Sequence, residues 1–407
     1  MWHWNANGYR CRKAVLQQHL RSLDQKELPD VIAIQETHAE DPKITSLPGY
    51  RAYARPPSAR TCGKGAAQGV CTFVRKGITS VGKDEILNYK DSAIEANVTE
   101  IIIAGKKGRG KNKASTTVYI ANVYSNPQHG NQRFKTLLHK IRDAAHGSGA
   151  AAVVCGDFNA PHEELGYTRT TVKGKRLLED AEEASFELLT DPAQPTRIGT
   201  STARDTTPDL SFVHLPRGGT ARWKNTGWNL GSDHYIVEVT IPLAHARVVD
   251  GTTKRRQLLT DWHKFREADL GEVDDVERWS ASLVSAAKDA TTEVEVPEEA
   301  DRVDPRLAHL VEARRSLQRR WKRQRHNRTL RKRVAALGKE IERYSRQLCA
   351  QQCHAAYAGA FHKWTEAERK RIDAAIRKAY AGAMGLLNGT KTTALLSLGA
   401  HNTLGLL

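Results

Sequence analysis

AAVVCGDFNAPH, residues Ala151 to His162, is the stretch on which the fold turns. Its apolar start stops abruptly at Gly156, and an acid and an amide, Asp157 and Asn159, follow two residues apart. A short apolar run ended in this way reads as a buried strand that delivers polar residues to the end of a sheet. Side chains at i and i+2 leave a strand on the same side, so this carboxylate and amide can face one reacting group together. Taken alone the pattern has a second reading, because Asp-x-Asn also occurs in turns, where the side chains bond the local backbone. The rest of the chain must supply the missing chemistry.

Working outward, the same device recurs. Val31 to Ile34 is a compact apolar strand that delivers Gln35, Glu36, Thr37 and His38. Met1 to Trp4 is a very short strand ending at Asn5-Ala-Asn-Gly, where Gly8 lets the chain turn into a helix from Arg10 to Gln25. Further strands are expected over Gly69 to Arg75, Ile94 to Ala104 and Thr117 to Val123, the last closing at Tyr124. Gln132 to His146 is an amphipathic helix, and a further helix lies near Arg176 to Leu189. Asp209 to Val213 is a strand that begins with its acid, and Gly231-Ser-Asp-His234 precedes an alternating strand from Tyr235 to Ile241. Strands alternate with helices while several strands are adjacent in sequence. The expected class is α+β, a four-layer αββα sandwich of two packed mixed sheets with helices outside.

The character changes beyond Pro242. Asp261 to Phe265, Val276 to Thr291, Arg306 to Tyr357 and Glu366 to Leu387 read as helices, and 242–260 as a linker. The chain thus divides into a domain at 1–241, the linker, and a basic helical region at 261–407. Formal charge is +17, and it is unevenly spread. Met1–His245 carries 32 Lys and Arg against 25 Asp and Glu, whereas Asp301 to Ala350 alone holds 16 against 5. Such an excess favours a polyanionic partner, nucleic acid before a membrane surface. A solvated helix with a positive bias remains the plain alternative. The loop GKKGRGKNKA between Ala104 and Ser115 is expected in solvent. Six cysteines show no disulfide spacing, and Cys349-x3-Cys353-His354 lacks further ligands at finger spacing. No 18-residue apolar run and no signal peptide are present. A nuclear or cytoplasmic protein without a membrane partner is expected.

Asn5, Glu36, Tyr124, Asp157, Asn159, Asp209, Asp233 and His234 all lie at or beside strand ends. Hydrolysing a phosphodiester needs a hard cation on the phosphate oxygens, a placed and deprotonated water, and a stabilised leaving oxygen. The set contains groups suited to each. WNANG, IQETH, NVYSNP, GDFNAPH, TPDLSF and GSDHY, in that order, resemble the endonuclease/exonuclease/phosphatase superfamily. QETH with DFNAPH and SDH most resembles the endonuclease of non-LTR (LINE-type) retrotransposons, over roughly Met1 to Ile241.

The resemblance implies roles residue by residue. Glu36 matches the principal ligand of Mg²⁺, or of Mn²⁺ in its place, with Asn5 helping to hold the ion. Asn7 sits where some relatives place a second acidic ligand. Asp157 matches the residue that orients or deprotonates the attacking water, and Asn159 a phosphate or water contact. His234 matches a histidine on the phosphate, with Asp209 fixing its tautomer. Asp233 matches a support on the metal side, and Tyr124 a tyrosine that hydrogen-bonds the phosphate. Thr37, His38 and Thr196 are candidates for DNA contact or for structural roles. The partner implied is DNA, with RNA a second candidate for the basic helical region.

Two departures from the family pattern stand out. Only Met1 to Trp4 precede Asn5, so weaker pairing of the first strand and weaker metal affinity are expected. No Tyr/Phe-x-Asp-Asp signature of a reverse transcriptase follows, which suggests a fragment or degraded element. Beside the nuclease stand two further readings, a phosphatase of the same fold and an inert nucleic-acid-binding remnant.

Overall fold

Alternation of buried side chains along the strands builds two sheets that share one apolar layer. In the computed structural model the described residues are 1–39, 45–57, 68–87, 94–103, 116–199, 204–215, 219–241, 254–269, 276–297, 304–361 and 366. The elements run β1 (Trp2–Asn5), α1 (Tyr9–Arg21), β2 (Val31–Gln35), β3 (Tyr50–Arg55), β4 (Val70–Arg75), β5 (Thr79–Gly82), β6 (Ile94–Ile103) and β7 (Thr116–Ser125). There follow α2 (Lys135–Ser148), β8 (Ala151–Asp157), α3 (Val172–Glu183), β9 (Glu187–Leu188), β10 (Asp209–His214), β11 (Arg222–Asn225) and β12 (Val237–Thr240). The remainder is β13 (Lys254–Thr260), α4 (Trp262–Glu267), α5 (Val276–Asp289), β14 (Thr291–Pro297), α6 (Pro305–Arg323) and α7 (Arg328–Phe361).

One six-stranded sheet has the order β11-β12-β1-β2-β4-β3, the other β5-β6-β7-β8-β10-β9. Each contains a single parallel pair, β1 with β2 and β7 with β8, and each pair is joined through a helix, α1 or α2. These are crossover units, which send the C-terminal ends of both strands to the same edge. With helices around the two mixed sheets, the αββα sandwich read from the sequence is the architecture found.

Along β8, Ala151, Val153 and Cys155 enter the layer between the sheets, with Val31 and Ala33 of β2 and Val118 and Ile120 of β7. Ala152 and Val154 face the other way, under Leu137 and Ile141 of α2, Phe134, which caps that helix, and Leu177 of α3. This period of two puts Asp157 on the inter-sheet side. The helices over that sheet have clear stops. Gly149 closes α2 in the left-handed region at φ 61°, and the Thr171 hydroxyl accepts the Gly174 N–H to cap α3.

Differences from the sequence reading have local causes. The helix expected over Arg176 to Leu189 starts earlier, at its Thr171 cap, and ends at Glu183, where Ser185 turns left-handed (φ 57°) and Glu187–Leu188 pairs with β10. The single helix expected from Arg306 to Tyr357 breaks into α6 and α7, because the Asn327 side chain accepts the Leu330 N–H and starts a new helix. Short strands β3, β5, β9 and β11 carry too few alternating apolar residues to stand out. Residues 254–260, inside the expected linker, form β13, which pairs with β14. β1, despite its four residues, pairs on both sides, with β2 and β12. The 105–114 loop and nearly all of the 366–387 helix lie outside the described residues. Met1–Ser345 forms one compact unit and Arg346–Leu407 a second; everything that follows concerns the first.

Gly156 is a position at which backbone geometry dictates residue type. Its φ is 142°, and a Cβ there would lie 1.9 Å from the Val123 carbonyl oxygen on the paired strand β7. Gly156→Ala should therefore cost about 3 kcal/mol or more of unfolding free energy, measured by urea denaturation, as overpacking and backbone strain add.

Candidate active site

Toward the C-terminal ends of β1, β2, β7 and β8 the layer between the sheets turns from apolar to polar. Buried polar groups there meet across the gap, although His3 Nδ1 and Gln35 Oε1 find no hydrogen-bond partner. His3 Nε2 meets Ser211 Oγ at 2.7 Å, and burial holds that imidazole down to about 4, hence neutral. Gln35 Nε2 donates to Asn122 Oδ1 at 2.6 Å, while Asn122 Nδ2 serves the carbonyls of Ile34 and Cys71. One step further lie Asn5, Glu36, Tyr124, Asp157 and Asp209. Strand register brings Tyr124 and Asp209 to either side of Asp157.

The Asn5 amide nitrogen donates to Glu36 Oε1 at 2.9 Å and to Asp157 Oδ2 at 2.7 Å, linking one sheet to the other. Its oxygen accepts the Asn7 N–H at 2.9 Å, which fixes the amide's orientation. Non-glycine residues in the left-handed region gather here: Asn7 (φ 47°), Glu36 (52°), His38 (49°) and Asn159 (46°). For Glu36 this conformation costs about 1–2 kcal/mol, and it turns the carboxylate off the strand end toward Asn5.

Burial pushes the Asp157 carboxyl up to about 7; His234 works against this, and Asp209 and Glu36 add to it. At Glu36 burial also favours the neutral acid, but hydrogen bonds from His38 and Asn5 and the His234 charge outweigh it and hold the carboxyl below the usual range. Burial raises the Tyr124 hydroxyl, helped by Glu36 and Asp157, so it stays a donor.

On the far side of Asp157, His234 Nδ1 lies 2.8 Å from Asp209 Oδ2. The Thr196 hydroxyl donates to the same oxygen at 2.6 Å. Burial disfavours a charged imidazole, yet Asp209, by charge and hydrogen bond, and then Asp157 and Asp233 raise His234 to about 9. Asp233 is held low: burial opposes ionisation, but His234 and Arg197 prevail, with Arg197 Nε 3.0 Å away. Asn7 Nδ2 reaches the other Asp233 oxygen at 3.2 Å.

All eight residues named as site candidates from the sequence thus converge on one end of the inter-sheet layer. Asn159 does so as a brace: its N–H donates to Asp157 Oδ1 and its side chain to the Ser125 carbonyl. Thr37 is buried, its N–H on the Gly69 carbonyl, and His38 lies 3.5 Å from Glu36. Residues missed from the sequence are Arg197, Ser232, whose hydroxyl donates to the Asn5 carbonyl at 2.7 Å, and Lys173. Lys173 is fully buried with Nζ 3.1 Å from the Asn126 carbonyl, and burial pulls it down to about 8 while Asp157 raises it. A lysine on the first turn of an amphipathic helix gave no sign of this.

Oxygen donors that suit a hard divalent cation are gathered around Glu36 and Asp157. Asp157, Asp209 and His234 also bring potential ligand atoms within 4.8 Å of one another. There, however, Nδ1 is engaged by Asp209 and the ring holds its proton, which an ion would have to displace. The donor chemistry favours the Glu36 side.

A model of the endonuclease/exonuclease/phosphatase family matches residues 2–234. No curated protein sequence matches the chain. Among solved structures, the endonuclease domain of TRAS1, a telomere-specific non-LTR retrotransposon, is similar at 16% identity over 60% of this chain and 98% of that one, with a TM-score of 0.42. The Xenopus laevis APE2 catalytic domain is similar at 20% identity, over 59% and 90%, with a TM-score of 0.42. A mannosyl-6-phosphatase from Bacteroides thetaiotaomicron shares 13% identity over 60% and 98%, with a TM-score of 0.38.

The raised His234 value makes a measurable difference. Its contribution to stability is fully present below 6.5, the ordinary imidazole value, and is lost as pH climbs through about 9. In metal-free protein, NMR of the ring nitrogens should show His234 titrating near 9, and Asp209→Asn should lower that midpoint by about two pH units. An unchanged midpoint in the variant would remove Asp209 as the cause.

Proposed function

We propose that this chain, which belongs to the endonuclease/exonuclease/phosphatase family of metal-dependent phosphoester hydrolases, is a Mg²⁺-dependent DNA endonuclease of the non-LTR retrotransposon type. It nicks one strand and leaves a 3′-hydroxyl. The observation that carries the reading is the joining of Glu36 and Asp157 through one amide, with the Asp209–His234 dyad beside them. Mg²⁺, or Mn²⁺ in its place, held by Glu36, with Asn5 as a further ligand once its oxygen is turned from the Asn7 N–H to the ion, would neutralise phosphate oxygen charge.

The chain's own groups supply the rest. Asp157, raised toward neutrality by burial, accepts a proton from the attacking water at Oδ1 or Oδ2. His234, charged at neutral pH, presents Nε2–H to the phosphate while Asp209 holds Nδ1, and the departing 3′ oxygen takes a proton from solvent to become the hydroxyl. Tyr124 keeps its proton and donates to a phosphate oxygen. Arg197 fixes Asp233 beside His234 at 3.9 Å, so the imidazole cannot swing out without losing two carboxylates. Such general acid–base contributions are each worth about 10²–10⁴ in rate.

Supercoiled plasmid with Mg²⁺ should be converted to open circles by the wild-type chain, and the nicks should prime a DNA polymerase. Glu36→Ala and His234→Ala should each slow nicking by about 10²-fold or more. Equal behaviour of all three proteins would sink the nuclease reading; hydrolysis of a phosphate monoester with no nicking would replace it by a phosphatase.

A further inference from the structure

α6 lies outside the stretch that the family model matches, yet it runs along that stretch. Near its start Ala308 and Val311 line one groove with Gln18 of α1 and Ser22, which caps that helix. Halfway along, the Arg315 guanidinium stacks 3.6 Å from the Trp228 ring centroid, and Arg314 reaches Asn229 Oδ1 at 3.4 Å. Toward its end Lys322 Nζ is 4.5 Å from the ring centroid of Tyr235, the neighbour of His234. Trp321 packs with Ile198, whose N–H donates to the Asp233 carbonyl at 2.7 Å. Just past the helix, Arg325 pairs with Asp205 at 2.8 Å. The C-terminal turn of α6 therefore arrives beside the loops that carry Thr196, Arg197, Asp233 and His234.

Between Glu312 and Glu340 the sequence holds twelve Lys and Arg and no acid. Arg319, Arg320, Arg323 and Arg328 are exposed, and none of the four is ion-paired among the described residues. Helix stability explains only part of this. Arg320, Lys322 and Arg323 sit in the last turn of α6, where the helix dipole favours cations. Arg328, Arg331 and Lys332 begin α7, whose first turn has no acid, and there the dipole disfavours them. Four exposed arginines without an ion partner among the described residues, spread from a helix end to the next helix start, call for an anion outside the chain.

We propose that the α6–α7 junction, from Arg319 to Lys332, binds the sugar-phosphate backbone of duplex DNA and prolongs the track that passes through the active site. The surface takes phosphates on the Arg197 flank of the bond to be cut. It specifies no sequence, because side chains that meet only phosphates carry position and not base identity. The choice of DNA rests on the nuclease reading; the charge argument does not.

The experiment is a salt titration of the full chain binding a fluorescent DNA duplex, read by anisotropy without divalent cation so that nothing is cut. The triple variant Arg320→Gln/Arg323→Gln/Arg328→Gln should bind about tenfold more weakly near 0.1 M salt. Its plot of log K against log[salt] should be shallower by about 2–3. A triple Arg→Lys variant should keep the wild-type slope, since a point charge suffices for phosphate. In the wild-type chain, duplex should also protect Arg320, Arg323 and Arg328 from phenylglyoxal, read by mass spectrometry, which needs no variant to fold. An unchanged slope in the Gln variant, or no protection, overturns the surface. Tighter binding of an RNA duplex of equal length overturns its assignment to DNA. Failure of the wild-type chain to nick plasmid removes the nuclease reading but leaves this binding measurement intact.

Discussion

Two hydrogen bonds from a single amide nitrogen, Asn5 Nδ2 to Glu36 and to Asp157, tie the two sheets together at the end where their apolar layer gives out. Without that amide two carboxylates would face each other in a site largely shut off from water, a costly arrangement at low dielectric. The constraint propagates backward along the strands. Gln35 with Asn122 and His3 with Ser211 complete the polar matching at successive depths, so register between the sheets is set by paired polar groups as well as by packing. A slip of one residue would point all of them into apolar surroundings.

This view explains which residues carry backbone strain. Glu36 sits left-handed directly after β2, and Gly156, at φ 142°, directly before Asp157. Both distortions aim an acid at the same gap. Such strain persists only when neighbouring contacts over-determine it. Here the second sheet, the Asn7 and Asn159 turns and the Ser232 hydroxyl on the Asn5 carbonyl supply those contacts.

How much of this could be read from the sequence follows from the range of each interaction. Strand ends and helices come from periods of two and 3.6, which are local, and so Asn5, Glu36, Asp157, Asp209 and His234 could be named before they were seen together. What escaped is set across the fold. Thr196 and Asp209 are thirteen residues apart and meet only because β10 starts beside the 195–199 segment. Arg197 reaches Asp233 over thirty-six residues, and Lys173 disappears under the turn that starts at Asn126. β13 was hidden because residues 254–260, Lys-Arg-Arg-Gln-Leu-Leu-Thr, alternate poorly and find their partner beyond two helices. The break between α6 and α7 was local after all: an Asn cap inside a basic run, masked by the helical period on either side.

Charge distribution links the site to the helices beside it. The chain is strongly basic as a whole, yet its candidate active site gathers Glu36, Asp157, Asp209 and Asp233 around one histidine. A polyanion would be repelled by those acids at close range if nothing stood beside them. Lys173 beneath, His234 within and Arg197 at the rim offset part of that charge. The offset is local, because interactions between exposed charges fade beyond about 8–10 Å at physiological salt. Cations that bring in an anionic backbone must therefore be neighbours of the site and not merely members of the same chain. α6 meets that requirement by geometry: its apolar and aromatic contacts, Trp321 on Ile198 and Arg315 on Trp228, fix the basic turn next to the loops of the candidate site. The same contacts brace the segment that holds Thr196 on Asp209, so the helix that carries the positive charge also steadies the partner of His234.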